Sequence, residues 1–255
     1  MKDYLEFAKE IAKYAGKVML KYFNINNGAS YKGDKTIVTL ADKEINTYLI
    51  NKVKEKFPTH SVDGEEEQFG KSNYVWVCDP VDGTAMYARH IPVAVFSLAL
   101  VVDGLPQVGV VYDVFTDTLY SAIKGNGAYK NEEKIIVNDF KLDDMRSVAH
   151  FDMWPNADYN VYNIIQELGK KTYFVSIGSV IRACMCVASG NFNLAIFPGT
   201  KRKNCDIAAA KVIVEEAGGR VTNLFGEEQR YDTDIKGAII SNGIVHDEVI
   251  ELMEK

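Results

Sequence analysis

The order of the hydrophobic repeats along the chain constrains the fold more than any other feature. Apolar residues recur every three or four positions over residues 3–23 and again from about 41 to 56, which predicts two amphipathic helices. Pro58 ends the second helix, because proline cannot continue a helix. The apolar runs that follow are short and are separated by turn residues, which is typical of strands.

The strand pattern changes character halfway along the chain. Beyond about residue 145, helical and extended segments alternate up to a final helix. We therefore predict a layered α/β protein with a single domain over 1–255, an antiparallel sheet in a lobe of about 1–144 and alternating α/β units in 145–255. The strands predicted in the first lobe are 75–78, 93–102 and 107–112, with a hairpin turn at Asp103–Gly104, followed by "LYSAI" and "KIIVN".

Composition limits the partners and the compartment. The 255 residues are 47% hydrophobic and 25% charged, and no apolar run reaches the roughly 18 residues of a membrane span, so we expect no membrane partner. The net charge of −6 disfavours nonspecific binding to nucleic acid. The four cysteines form no CxxC pair and the N-terminus has no continuous apolar core, so we expect reduced thiols and a cytoplasmic location.

Two aspartates three residues apart follow the predicted strand 75–78 directly. Asp79 and Asp82 lie in "DPVDGT", at the carboxyl end of a strand, where α/β proteins bind ligands. Asp-Pro and Asp-Gly also favour turns for backbone reasons alone, and this alternative stays open for the fragment by itself.

Other acidic residues each have a local explanation but together suggest a metal site. Glu65 belongs to the acidic run "GEEE", Asp206 begins a helix where it could act as a cap, and Asp42 follows Thr39 as in a capping box. A set of carboxylates without histidine or cysteine suits magnesium, and magnesium in turn suits a phosphorylated substrate. The four candidate ligands are Glu65, Asp79, Asp82 and Asp206.

Motifs spread over nearly the whole chain resemble the inositol monophosphatase family, which belongs to the magnesium-dependent, lithium-sensitive sugar phosphatase superfamily. The resemblance implies an αβαβα five-layer sandwich, a phosphomonoesterase in which water attacks directly without a phosphoenzyme intermediate, and a homodimer. The motifs are "VTLAD" (38–42), "GEE" (64–66), "DPVDGT" (79–84) and "CDIAAAKVIVEEAGG" (205–219).

The resemblance also implies a role for each residue of the site. Two to three Mg²⁺ ions are implied: the first is held by Glu65, Asp79 and the Val81 carbonyl, the second by Asp79, Asp82 and Asp206, and the third by Glu65. Asp42, Thr84 and Glu65 are the implied catalytic residues. Thr84 is expected to orient water and to hydrogen-bond Asp42, while the N–H groups of Gly83 and Thr84 bind phosphate.

The substrate is less constrained, because the chain departs from inositol phosphatases around it. Pro198 stands near the position of a sugar-binding glutamate, and Cys205 replaces a tryptophan. Fructose 1,6-bisphosphate, histidinol phosphate and nucleotide 3′-phosphates such as phosphoadenosine phosphate therefore remain alternatives, as does a non-catalytic binding or regulatory module. The residues that we predict to face the substrate are Arg202, with Lys201 and Lys203 beside it, Ser179 and Arg182.

Overall fold

The computed structural model describes residues 1–25, 27–33, 36–152, 157–199 and 204–253. The helices of this part of the chain are α1 (Lys2–Phe23), α2 (Leu40–Lys56), α3 (Thr84–Tyr87), α4 (Tyr162–Leu168), α5 (Val180–Ala188), α6 (Ala208–Glu216) and α7 (His246–Met253). Its strands are β1 (Ser30–Tyr31), β2 (Ile37–Val38), β3 (Ser61–Gly64), β4 (Gln68–Phe69), β5 (Tyr74–Asp82), β6 (Val95–Val102), β7 (Leu105–Asp113), β8 (Thr118–Ile123), β9 (Ala128–Lys130), β10 (Glu133–Ile135), β11 (Val148–Phe151), β12 (Tyr173–Val175), β13 (Leu194–Phe197), β14 (Arg220–Thr222) and β15 (Ala238–Ser241).

Helices and sheets alternate in five layers. An eight-stranded sheet in the order β10-β9-β8-β7-β6-β5-β3-β4 and a five-stranded sheet in the order β12-β11-β13-β15-β14 enclose helices α5 and α6. Helices α1 and α2 cover the outer face of the larger sheet, and α4 and α7 cover that of the smaller one. The predicted αβαβα sandwich is confirmed.

Strand β5 shows why the larger sheet is covered on both faces. Successive side chains of a strand point to opposite faces. Accordingly, Trp76 and Cys78 pack with α1 and α2, whereas Val75 and Val77 pack with α5 and α6. All four side chains are buried, so β5 is an almost uninterrupted apolar run up to Asp79.

The local sequence signals in the first half of the chain predict its two long helices and the β6–β7 hairpin. Helices α1 and α2 begin within one residue of the predicted starts. Asp103 and Gly104 join β6 to β7 with φ angles of 52° and 88°, the two positive values that a type I′ hairpin turn requires. The remaining strands of the larger sheet continue antiparallel to these, except that β3 pairs parallel to β5.

The second half alternates between helices and strands as predicted, but one strand pairing differs from a simple series of βα units. Strands β12, β11 and β13 are parallel to one another. Strand β15 then runs antiparallel to β13 and pairs with β14, a three-residue strand that the sequence did not predict. The smaller sheet is therefore mixed, with its three parallel strands side by side.

The described helices include none long and apolar enough to cross a membrane. All four cysteines are free thiols.

Candidate active site

The end of β5 holds two buried carboxylates, those of Asp79 and Asp82. The pairing with β6 shifts between Asp79, opposite Ser97, and Asp82, opposite Val95, so β5 contains one extra residue there. Such a bulge bends a strand and redirects its side chains. The backbone N–H of Val81 donates to Asp79 Oδ1 at 3.0 Å and closes the turn.

Gly83 follows, and its backbone needs a glycine. Its φ of 88° lies in the left-handed region, and a Cβ at this position would come within 2.9 Å of the Gly178 carbonyl oxygen. The turn is therefore packed directly against the segment 176–179 that precedes α5. The next residue, Thr84, donates its hydroxyl to the Val81 carbonyl oxygen at 2.7 Å.

The N-terminal end of α5 holds Asp82. The carboxylate oxygen Oδ2 accepts hydrogen bonds from the Ile181 N–H at 2.9 Å and from the Ser179 hydroxyl. Ser179 also accepts from the Arg182 N–H as the N-cap of α5. Burial and the negative charge of Asp206 together raise the pKa of Asp82 to about 7, so these two carboxylates lie near each other.

Asp206 lies in the turn before α6 and is 5% exposed. It is not the helix cap, because Ile207 occupies that position, and the Cys205 thiol donates to Asp206 Oδ1 at 3.3 Å. Asn204 fixes the same turn: its amide donates to Asp63 Oδ2 at 2.8 Å, which links the turn to β3.

A second acidic group lies where α2 faces the turn after β3. Asp42, Glu65 and Glu66 each offer a carboxylate oxygen, and the three atoms lie within 4.8 Å of one another. Asn46, one helical turn after Asp42, holds the acidic turn by accepting from the Glu66 and Glu67 N–H groups at 3.3 and 3.4 Å. The Lys32 ammonium contacts Glu65 and Glu66 at 3.4 and 2.5 Å.

Asp42 is fully buried and forms the capping box that its spacing from Thr39 predicts. Its Oδ2 accepts from the Thr39 N–H at 2.8 Å and from the Thr39 hydroxyl at 2.5 Å, whereas Oδ1 has no hydrogen-bond partner. Burial, with the charges of Glu65 and Glu66, raises its pKa to about 7, although the hydrogen bond from the Thr39 hydroxyl opposes this shift. The expected hydrogen bond between Thr84 and Asp42 is wrong for this structure, because the Thr84 hydroxyl donates to Val81 instead.

The residues predicted to face the substrate have mixed outcomes. Ser179 is at the site, but its hydroxyl is engaged with Asp82. Arg182 pairs with Asp113 Oδ2 at 3.0 Å and donates to the Pro92 carbonyl at 3.4 Å, and it lines a separate cavity of about 210 Å³ with Lys130 and Tyr120. Lys201, Arg202 and Lys203 lie outside the described residues.

The donor set fits a hard divalent cation. It contains only oxygen atoms, the buried Oδ1 of Asp42 has no partner, and the two carboxyls with the pKa raised to about 7 have charges that a cation would stabilise. Within the described ranges, the one group at metal-ligand spacing contains Asp42, Glu65 and Glu66. The structure therefore adds Glu66 to the predicted ligands, and its adjacency to Glu65 was the signal that could have revealed it.

Five alternating layers and a group of carboxylates that could hold a metal ion define a layered α/β sandwich with a candidate metal site. The family model for the inositol monophosphatase family matches residues 1–255. The chain belongs to the inositol monophosphatase family, whose members are metal-dependent phosphatases that hydrolyse phosphomonoesters.

Individual relatives cover almost the full length. A fructose-1,6-bisphosphatase/inositol-1-monophosphatase of Thermotoga maritima is 32% identical over 259 residues, which are 99% of this chain and 96% of the relative. The protein of the same name from Aquifex aeolicus is 34% identical over 271 residues, covering 100% of this chain and 97% of the relative. A solved IMPase structure from Thermotoga maritima superposes with a TM-score of 0.86 at 29% identity, covering 99% of this chain and 97% of that one.

Proposed function

We propose that the protein is a magnesium-dependent phosphomonoesterase that hydrolyses a small phosphorylated polyol or sugar, of which inositol monophosphate is the first candidate. The observation that carries this proposal is the all-oxygen group of Asp42, Glu65 and Glu66, with its buried, unpartnered Asp42 oxygen, in a chain of this family. Magnesium prefers such ligands to the nitrogen and sulfur donors of zinc sites.

We expect two to three ions, held by Glu65, Asp79, Asp82, Asp206 and the Val81 carbonyl, with Glu66 as an additional candidate. The Val81 oxygen already accepts from Thr84 and retains a second lone pair for a cation. When bound, these ions would neutralise phosphate charge and make water more acidic.

The chain's own residues position and deprotonate the attacking water in this proposal. Thr84 gives its only hydroxyl hydrogen to Val81, so its oxygen can accept a hydrogen bond from water. Asp42 Oδ1 has no partner and is available to take the proton. The N–H groups of Gly83 and Thr84 are the proposed phosphate donors.

Fructose 1,6-bisphosphate is the second candidate substrate, because the Thermotoga and Aquifex relatives carry that activity in their names. Arg202, with Lys201 and Lys203, would meet a second phosphate in that case. We also propose a homodimer and a cytoplasmic location, on the family resemblance and the composition respectively. Light scattering of the purified chain tests the dimer.

Phosphate release from a panel of phosphorylated metabolites tests the function. The panel contains inositol 1-phosphate, fructose 1,6-bisphosphate, histidinol phosphate and phosphoadenosine phosphate, each with magnesium and with chelator. We expect magnesium-dependent release, and at least a hundredfold loss of kcat/KM in Asp82→Asn. Activity that survives chelator or this substitution contradicts the metal role, and silence across the panel together with salt-sensitive RNA binding favours a non-catalytic module.

A further inference from the structure

Asp152 lies near Asp82 and is neither a proposed metal ligand nor a proposed catalytic residue. It directly follows β11, and Ser176 directly follows β12, its parallel neighbour. On the other side of β11, Phe151 pairs with Ile196 of the parallel strand β13. Asp152 therefore projects from the carboxyl ends of three adjacent parallel strands, the edge of a sheet at which α/β proteins bind ligands.

The carboxylate of Asp152 is held by a hydrogen bond from Ser176 and lies beside the ring of His150, whose nitrogens form no hydrogen bond within the described part of the chain. Ser176 Oγ donates to Oδ1 at 3.0 Å, and His150 Nε2 lies 2.9 Å from Oδ2. His150 is 1% exposed, whereas the Asp152 side chain keeps 11% of its surface accessible. A carboxylate offers about four lone-pair positions, so each of its oxygens can accept a further hydrogen bond.

Ser176, the hydrogen-bond partner of Asp152, belongs to a segment that contacts the proposed metal and phosphate site. Ser176 begins the segment 176–179, in which Gly178 packs against Gly83 and Ser179 holds Asp82. The negative charge of Asp152 also contributes to the raised pKa of Asp82. Asp152 thus lies beside the proposed phosphate-binding turn without being part of it, where the alcohol portion of a phosphate ester would extend.

The negative charge of Asp152 determines which substrate groups it can bind. A buried carboxylate accepts hydrogen bonds from hydroxyl groups and repels a second phosphate. The neighbouring strand β13 is followed by Pro198 and Gly199, which have no side-chain acceptor. The acceptor at this edge of the sheet is therefore supplied by β11.

We propose that Asp152, held by Ser176, is a specificity-determining residue that accepts hydrogen bonds from hydroxyl groups of the leaving alcohol and disfavours a second phosphate at that position. This inference rests on the proposed phosphatase function and narrows its substrate class.

Kinetics of Asp152→Asn and Asp152→Ala test the proposal. With magnesium, we expect a 10–100-fold loss of kcat/KM on inositol 1-phosphate, the size of effect typical of an unpaired polar contact. Activity on p-nitrophenyl phosphate, whose leaving group has no hydroxyl donor, should change by less than about threefold. The ratio of fructose 1,6-bisphosphate to inositol 1-phosphate activity should rise about tenfold, since a repulsive charge is removed. Asp143→Asn, an exposed acid before β11, is the matched control and should leave all rates unchanged.

Binding separates a failure of this proposal from a failure of the proposed function. In an Asp42→Asn background, adding Asp152→Asn should weaken inositol 1-phosphate binding at least tenfold in calorimetric titrations and change inorganic phosphate binding less than twofold. Equal losses for both ligands, or an equal fall on all substrates, would show that Asp152 acts only through Asp82 and would overturn the proposal. Unchanged inositol 1-phosphate binding would also overturn it. If the unsubstituted chain hydrolyses no phosphomonoester, the proposed function fails, and these titrations still decide the role of Asp152.

Discussion

At the scale of single residues, Asp42 links helix formation to the site. One carboxylate oxygen caps α2 through Thr39, and the other is buried without a partner beside Glu65 and Glu66. Capping alone would account for an aspartate at this position, but it would not account for the unpartnered oxygen. A buried acceptor without a donor is costly unless a ligand or an ion satisfies it.

Substitutions at Asp42 and Thr39 separate the two roles. Asp42→Asn keeps an oxygen that can accept from Thr39, so we expect Tm to fall by less than about 4 °C while kcat falls 10²–10⁴-fold. Thr39→Ala removes the hydroxyl that opposes the raised pKa of Asp42, so the acid limb of the pH–rate profile should move to higher pH. Melting curves and pH–rate profiles measure both effects. An unchanged acid limb in Thr39→Ala would exclude Asp42 as the base.

At the scale of secondary structure, the long elements follow from the sequence and the short ones do not. Helix α1 contains many periods of its apolar repeat, and the β6–β7 hairpin contains a turn with two positive φ angles. Each signal lies within the element that it predicts. Strands β3 and β14 have four and three residues, too few for a period, and form only because a neighbouring strand pairs with them.

The site shows the same division. Asp79 and Asp82 could be predicted because the apolar run of β5 ends at them. Glu66 has a sequence signal in its adjacency to Glu65, whereas Asp152 has none, because its orientation depends on Ser176, which follows a different strand. Sequence motifs therefore predict which residues carry the chemistry more readily than the contacts that orient them.

Replacing Asn46 tests whether α2 fixes the conformation of the turn that contains Glu66 and Glu67. Asn46→Ala removes the acceptor for the Glu66 and Glu67 N–H groups and the donor to the Glu67 carbonyl at 3.1 Å. We expect a loss of about 1–3 kcal/mol in the free energy of unfolding and weaker magnesium binding in calorimetric titrations. Asn51→Ala, an exposed asparagine on the same helix, is the control. Normal magnesium affinity in Asn46→Ala would show that the turn keeps its shape without the helix.

At the scale of the whole molecule, the buried carboxylates make the metal-free protein sensitive to pH. The pKa of Asp82 and that of Asp42 are raised from about 3.8 to about 7 in the folded chain. A carboxyl whose folded pKa is raised stabilises the fold at pH values below its ordinary pKa, and this contribution is lost as the pH rises towards 7. Asp42 and Asp82 should therefore make the metal-free protein more stable at pH 5 than at pH 8.

Melting in chelator and in magnesium measures this effect. In chelator we expect Asp82→Asn to melt on the order of 5 °C above the unsubstituted chain at pH 8, with a smaller difference at pH 5. Magnesium at 100 times its Kd adds about 2.7 kcal/mol, or roughly 5–10 °C, to the unsubstituted chain and much less to Asp82→Asn. A variant that melts lower than the unsubstituted chain at pH 8 in chelator would contradict the raised pKa of Asp82.

The site draws on residues from Asp42 to Asp206, supplied by α2, the turn after β3, the end of β5 and the turn before α6. Contacts between such distant parts of a chain form late in folding, because closing a long loop costs entropy before the contact can stabilise the fold. A ribosome-bound chain that ends before residue 206 contains all eight strands of the larger sheet but lacks Asp206, a proposed metal ligand. Full magnesium affinity would then appear only after synthesis has passed α6, so acquisition of the metal would report the completion of folding.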